Sequence, residues 1–123
     1  MRAEPHQVVY ENGRWDGKTP AEWVPEVVDA IVQEFDPLQV VLFGSIARGD
    51  AGPDSDIDLL VVLREVTHRI EAAIAIRDSI AHLPPPIDVV PTDPEEIARR
   101  RAQPGSVIHT ALSEGEVVYE RAA

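Results

Sequence analysis

The chain has 123 residues, of which 44% are hydrophobic and 27% charged, and its formal net charge is −11. These values fit one compact domain, and the negative charge argues against direct nucleic-acid binding, which needs a basic surface. The absence of cysteine excludes a disulfide framework and a thiolate metal site. Because the sequence has neither an apolar run long enough to cross a membrane nor a secretory signal pattern, we expect a cytoplasmic protein.

Residues 1–18 are predicted to form an N-terminal arm or hairpin that precedes the main domain. The Asn12-Gly13 pair lies between apolar and aromatic residues, which favours a two-residue hairpin turn but is equally compatible with a loosely ordered arm. Thr19 then offers a helix cap, with Pro20 at the first helical position and Glu22 three residues after the cap. We therefore place the main domain at residues 19–123.

Helices and strands alternate along this domain. Apolar residues at helical spacing predict a first helix that ends at Asp36-Pro37, and apolar runs predict buried strands at 38–43, 57–63 and 87–90. Further helices are predicted near 46–49, at 66–82, after a cap at Asp93, and at 106–113, followed by an edge strand at 117–119. The apolar face of the 66–82 helix is predicted to consist of Val66, Ile70, Ala73, Ile74 and Ala81. The alternation indicates a small α/β fold.

Three carboxylates are candidates for a metal site. Asp56 and Asp58 open the second strand, where alternation places both side chains on one face with their Cα atoms about 6.5–7 Å apart. Asp88 opens a third strand, and if that strand lies beside 57–63, all three carboxylates gather at one edge of the sheet. Hard oxygen ligands suit Mg²⁺, and three carboxylates around two ions form a site for phosphoryl transfer.

A glycine turn precedes these acids and is a candidate phosphate-binding element. Gly44 allows the backbone to approach a phosphate closely, and the N–H groups after it carry a positive partial charge at a helix N-terminus. The Ser45 hydroxyl and Arg48, one turn further along, are within reach of the same phosphates. A Gly-Ser turn alone is unspecific, and so is an Asp-x-Asp alone, but their combination in this order indicates a nucleotide site.

The segment GSIARGDAGPDSDIDL resembles the signature of the DNA polymerase β-type nucleotidyltransferase superfamily: Gly-Ser, ten residues, Asp-x-Asp, then an acidic residue on a later strand. Within it, the short chain and the Ala-Arg-Gly after Gly-Ser are most similar to the minimal nucleotidyltransferases, over about residues 19–120. The resemblance implies a small nucleotidyltransferase fold, with helices packed against a short mixed β-sheet. It also implies Mg²⁺-dependent transfer of a nucleoside monophosphate from an NTP, here ATP, to an acceptor hydroxyl.

The resemblance also implies a role for each candidate residue. Asp56 and Asp58 would bind two Mg²⁺ ions, and Asp88 would hold the catalytic ion and help to activate the acceptor oxygen. The β- and γ-phosphates would be held by Gly44, Ser45 and Arg48. Family members often carry a basic residue in the loop before the acidic pair, where this chain has Ala-Gly-Pro at 51–53, so no help with the triphosphate is expected from that loop.

The acceptor is expected to arrive on a partner, because the sequence contains little beyond the catalytic core. In the minimal family this partner is commonly a helical HEPN-type protein, often a ribonuclease toxin that the antitoxin adenylylates on a tyrosine. Two alternatives remain open: a non-catalytic module that masks its partner, and transfer to a small molecule or RNA. The arginines at 99–101 either complement a helix dipole or contact a partner or phosphate. A homo- or hetero-oligomer is possible, and the base preference is not indicated.

Overall fold

A computed structural model describes residues 7–52 and 55–122 of the chain. A hairpin precedes the domain, with strands β1 (Tyr10–Glu11) and β2 (Arg14–Trp15). The main sheet consists of β3 (Gln39–Phe43), β4 (Ile57–Val62), β5 (Ile87–Thr92) and β6 (Glu116–Glu120). The helices are α1 (Pro20–Phe35), α2 (Gly44–Arg48), α3 (Arg69–Ser79), α4 (Pro94–Arg100) and α5 (Val107–Glu114). None of the helices described here is both long and apolar enough to span a bilayer.

The four-stranded sheet is mixed, as the family resemblance implies. Its order is β5-β4-β3-β6, in which β3 is antiparallel to both β4 and β6 while β4 and β5 run parallel. The parallel pair is connected through α3, because parallel neighbours need a crossover. The parallel arrangement has one consequence for function: β4 and β5 begin at the same end of the sheet.

Helices cover both faces of the sheet, and alternating strand residues divide the core between them. On one face, α1 and α3 pack against Val40, Leu59 and Val61. On the other face, the α5 residues Ile108 and Ala111 pack in a cluster with strand residues that include Val41, Phe43, Leu60 and Val62. Because successive strand residues alternate faces, Asp58 lies on the α5 side, in line with Leu60.

The start of α1 follows the pattern that the sequence predicts. The Thr19 side chain accepts a hydrogen bond from the Glu22 backbone, and the Glu22 carboxylate accepts one from the Thr19 backbone at 3.2 Å, which completes a capping box. The apolar positions of α1 are buried against the sheet, with Val27 and Ile31 fully enclosed. The start of this helix is therefore fixed by local sequence, and its packing against the sheet stabilises the rest.

The hairpin at residues 10–15 turns at the Asn-Gly pair. Asn12 and Gly13 both have positive φ, 55° and 75°, which a two-residue turn of this kind requires. The Trp23 indole N–H donates to the Trp15 carbonyl at 2.9 Å, so the hairpin is attached to α1. Residues 1–6 of the predicted arm lie outside the described residues, and the division of the chain at residue 18 stays a prediction.

The prediction for α3 was wrong in its length and in its buried face. The helix spans Arg69–Ser79 rather than 66–82, and three of the predicted core residues are exposed: Ile70 at 77%, Ile74 at 51%, and Ala81. The buried stripe is instead Ile76, Ile80 and Leu83. These three follow the i, i+4, i+7 spacing but extend past the helix end into the turn, where a search confined to the helix does not count them.

A buried acid that the sequence does not predict lies at the far end of β5. Glu96, in the first turn of α4, accepts a hydrogen bond from the Thr92 hydroxyl at 2.6 Å and forms an ion pair with Arg69 of α3. Arg100 lies one turn along, with its Nε 3.7 Å from the same carboxylate. Glu96 thus joins β5, α3 and α4, and Arg100 has a structural partner at the C-terminal end of α4.

Candidate active site

Two of the three predicted carboxylates lie side by side on neighbouring strands. Asp58 on β4 is the register partner of Asp88 on β5, and because the strands are parallel both side chains leave the same face of the sheet. Adjacent strands place their Cα atoms about 4.8 Å apart. Asp56, which ends the loop before β4, is exposed, as is Asp88, whereas Asp58 is half-buried. The fold thus brings Asp58 and Asp88 together at one end of the sheet, as expected, whereas Asp56 precedes β4, so the predicted strand alternation does not extend to it.

Gly44 makes room for the Asp58 side chain. It follows the last residue of β3, Phe43, which is the register partner of Asp58, and its φ is +77°. A Cβ at this position would overlap Asp58 Oδ2 and would lie 3.1 Å from its Cγ. Glycine is therefore required twice here, for the left-handed backbone and for the close approach of the carboxylate.

The charge on Asp58 is poorly compensated. Burial raises the pKa of its carboxyl, and the negative charges of Asp88 and Asp56 raise this pKa further, while Arg48 has a smaller lowering effect. Among residues 7–52 and 55–122, no side chain hydrogen-bonds or ion-pairs with the Asp58 carboxylate. An acid surrounded in this way favours the approach of a cation.

The predicted phosphate-binding residues flank Asp58 on α2. Ser45 is half-buried at the start of the helix. Arg48 lies at its end, with its Nε 3.3 Å from Asp50 and its guanidinium 3.7 Å from Glu114 of α5. Arg48 is thus close enough to influence Asp58 electrostatically, while its side chain is shared between two other acids. The loop before the acidic pair, which carries no basic residue, includes residues 53 and 54, and these two lie outside the described residues.

Asp88 has a partner that the sequence does not predict. Arg77, near the end of α3, places a guanidinium nitrogen 3.2 Å from Asp88 Oδ1. This pair depends on which face of α3 packs against the sheet. Because Ile76 is buried in the core, the next residue, Arg77, lies near the edge strand β5. The predicted apolar face of α3 left Arg77 without an assignment.

The donor chemistry of the three acids fits Mg²⁺, which prefers carboxylate oxygens. Gly44 leaves space for the Asp58 side chain at the end of β3, and the charge on Asp58 is only partly compensated, which favours a cation. As the side chains stand in the described residues, however, no set of three His, Asp or Glu groups is placed to hold one ion together. Asp88 instead contacts Arg77.

Of the three carboxylates, Asp56 and Asp88 are exposed to solvent and Asp58 is half-buried. A largely apolar cavity of about 510 Å³ lies between α1 and β6, lined by residues such as Val28, Val32 and Tyr119. Another, of about 400 Å³, separates the hairpin turn from α2. Neither is lined by Asp56, Asp58 or Asp88. An acceptor could therefore approach the acids from solvent.

Comparison with known proteins agrees with this architecture. A candidate nucleotidyltransferase from Sulfolobus solfataricus superposes with a TM-score of 0.58 at 22% identity, over 83% of this chain and 81% of the other. A chain from a mutant of the toxin–antitoxin pair MntA–HpeT superposes with a TM-score of 0.55 at 20% identity, over 80% and 72% of the two chains. At these identities the likeness concerns the fold. No curated protein matches the sequence.

The assignment to a family comes from the sequence itself. Residues 24–117 match the model of the nucleotidyltransferase domain, and this range contains the Gly-Ser turn, the acidic pair and Asp88. The matched range also extends over every strand of the main sheet except the last residues of β6. The chain therefore belongs to the nucleotidyltransferase domain family.

Proposed function

We propose that this nucleotidyltransferase moves AMP from ATP to a hydroxyl group on a partner protein. The partner would be a helical HEPN-type toxin, the acceptor a tyrosine, and the chain its antitoxin. The observation that carries the proposal is the in-register pair Asp58–Asp88, with Gly44 clearing space for Asp58 at the end of β3. The reaction would take place at the exposed end of the sheet, where a hydroxyl group on a partner protein can reach the acids.

Each acid has a distinct place in the proposed reaction. Asp56 and Asp58 would hold two Mg²⁺ ions, and Asp88 would share one of them and position the acceptor oxygen. When bound, the ions supply a lowered pKa for the acceptor hydroxyl and neutralise charge on the departing pyrophosphate. The raised pKa of Asp58 supports this role, because the same surroundings that disfavour its lone charge favour a bound cation.

The α2 residues would bind the rest of the nucleotide. The Ser45 hydroxyl and the backbone N–H groups after Gly44 would contact the β- and γ-phosphates. Arg48 would add a charge-assisted contact, for which its guanidinium must exchange Asp50 or Glu114 for phosphate. Ion pairs with two partly exposed carboxylates are weak, so this exchange costs little.

Two features support a protein acceptor. The net charge of −11 favours a basic partner over nucleic acid. The MntA–HpeT pair, whose fold this chain resembles, is a toxin–antitoxin complex, and we extend that pairing to this chain as part of the proposal. The tyrosine acceptor and the HEPN class follow from the resemblance to minimal nucleotidyltransferases.

The direct test is label transfer to the candidate HEPN-type partner in the presence of Mg²⁺. With ATP labelled at the α-phosphate, the partner should acquire label, whereas ATP labelled at the γ-phosphate should leave it unlabelled, because AMP rather than phosphate is transferred. Asp58→Asn should remove the label without unfolding the chain. Label from the γ-phosphate, or α-label that persists in Asp58→Asn, would overturn the proposal.

The masking alternative makes the opposite prediction. A chain that neutralises its partner by covering it should inhibit the partner equally well as Asp58→Asn and without ATP. Measuring the partner's activity with wild-type and Asp58→Asn chains, each with and without Mg²⁺-ATP, separates the two functions. Inhibition that needs both Asp58 and ATP supports the enzyme.

A further inference from the structure

Arg77 contacts a carboxylate oxygen of Asp88, which the proposed function treats as a metal ligand. Its Nη2 lies 3.2 Å from Asp88 Oδ1, and the side chains of both residues are 54% exposed. The contact joins α3 to the edge strand β5, and it crosses only eleven residues of the chain. Arg77 is thus a positive charge that belongs to the protein and is already paired within the acidic site.

We propose that Arg77 is a positioning residue that competes with the divalent cation for Asp88 and thereby sets the metal affinity of the site. The inference rests on the proposed function, in which Asp88 is a metal ligand. In the described residues the three acids do not form a three-donor set, and Asp88 is the one whose oxygen contacts a guanidinium. Metal binding through Asp88 would require this contact to open.

The ion pair between Arg77 and Asp88 is weak enough for a divalent ion to displace it. An ion pair between two half-exposed side chains is weak, because solvent screens the charges and both chains lose freedom when they pair. A divalent ion would be attracted by Asp56, Asp58 and Asp88 together, whereas Arg77 contacts only the last of them. Arg48, the other nearby cation, is paired with Asp50 and Glu114 rather than with Asp88.

The chain contains a closely matched control for Arg77. Arg64 and Asp36 also form an exposed Arg–Asp pair, at 3.6 Å with 56% and 57% side-chain exposure. Arg64 lies beyond the end of β4, six residues from Asp58, which corresponds to about 20 Å along an extended strand. Arg64→Ala therefore removes the same charge at a distance from the acids, and Asp36 keeps Arg121 as its partner.

The experiment is a titration of the protein with Mn²⁺, followed by the electron paramagnetic resonance signal of the free ion. Arg77→Ala should bind Mn²⁺ about two- to fivefold more tightly than wild type, which corresponds to the loss of one exposed ion pair. Arg77→Lys, which keeps the charge, should stay near the wild-type affinity. Arg64→Ala should not differ from wild type, and thermal melting should show that every variant is folded.

A second background separates this inference from the function on which it rests. Asp88→Asn should weaken Mn²⁺ binding, and in that background Arg77→Ala should have no further effect, since the acid for which it competes is gone. If Asp88→Asn weakens binding but Arg77→Ala leaves it unchanged or weaker, the inference is overturned and the proposed site survives. If the wild type shows no Mn²⁺ binding that Asp88→Asn weakens, both fail.

Discussion

Two carboxylates, Asp58 and Glu96, are held at opposite ends of the β4–β5 pair, and their surroundings differ in kind. Glu96, after the end of β5, is buried but has the Thr92 hydroxyl and the Arg69 guanidinium as partners. Asp58, near the start of β4, is half-buried beside two further acids, and among the described residues only the weaker influence of Arg48 opposes them. The first arrangement stabilises the fold, since a buried charge needs partners. The second costs stability, which is typical of a site that awaits a cation.

The largest effect should come from the glycine that seats Asp58. Gly44→Ala introduces a Cβ that overlaps the Asp58 carboxylate, so the acid must move. We expect label transfer to fall at least about a hundredfold, because small displacements of a reacting group are this costly. The measurement is the initial rate of transfer from α-labelled ATP.

Gly49→Ala is the matched control for this change. Gly49 also has a left-handed backbone, with φ of +81°, but a Cβ there meets nothing within 4 Å. Both variants should lose about 1 kcal/mol in the free energy of unfolding from backbone strain, yet only Gly44→Ala should lose activity beyond that. Equal activities in the two variants would show that the seating of Asp58 is unimportant.

The next largest effect is expected on the free energy of unfolding, when the paired acid Glu96 is removed. Glu96→Ala should lower the free energy of unfolding by about 2–3 kcal/mol, because it leaves the Thr92 hydroxyl and Arg69 without their partner. The measurement is urea denaturation, with Glu95→Ala, an exposed neighbour in the same helical turn, as control. A loss no greater than that of Glu95→Ala would mean that the buried cluster is not structural.

The smallest expected effect is an increase in the free energy of unfolding, when the charge on Asp58 is removed. Asp58→Asn should raise the free energy of unfolding at neutral pH, by less than about 1 kcal/mol since solvent screens a half-buried side chain. The folded-state pKa of Asp58 is raised, so the folded wild type takes up a proton more readily than the unfolded chain does. Its deficit relative to Asp58→Asn is therefore present above that pKa and disappears as the pH falls through it.

Denaturation of both chains across the acidic range checks this prediction. Glu65→Gln, which removes one charge from an exposed loop residue, serves as the control for net charge. A destabilised Asp58→Asn at neutral pH, or a difference from wild type that grows as the pH falls, would contradict the description of Asp58 as a poorly compensated acid.

Local patterns predicted the elements well because their causes are local. The capping box at Thr19, the Asn-Gly turn and the apolar strands each depend on residues a few positions apart. The gathering of Asp58 and Asp88 was different, since it needed β4 and β5 to be neighbours. That condition was stated from the sequence but not derivable from it, and the family resemblance supplied the sheet.

The sequence alone does not determine which face of α3 is buried, so it could not predict the contacts that depend on that face. Two isoleucine stripes on α3 have equivalent spacing, and tertiary packing selects the one that contains Ile76. Arg77 could not be assigned to Asp88 until that choice was known. The burial of Glu96 could not be predicted either, because it depends on partners, such as Arg69, that are distant in the chain.

The central claim is that the cluster of acids at the start of β4 and β5 binds nucleotide through divalent metal. Calorimetric titration with a non-hydrolysable ATP analogue, with and without Mg²⁺, tests it most directly. We expect micromolar-to-millimolar binding that requires Mg²⁺ and that Asp58→Asn and Asp56→Asn weaken by about tenfold or more. Nucleotide binding that is equally tight without metal, or indifferent to both substitutions, would contradict the account.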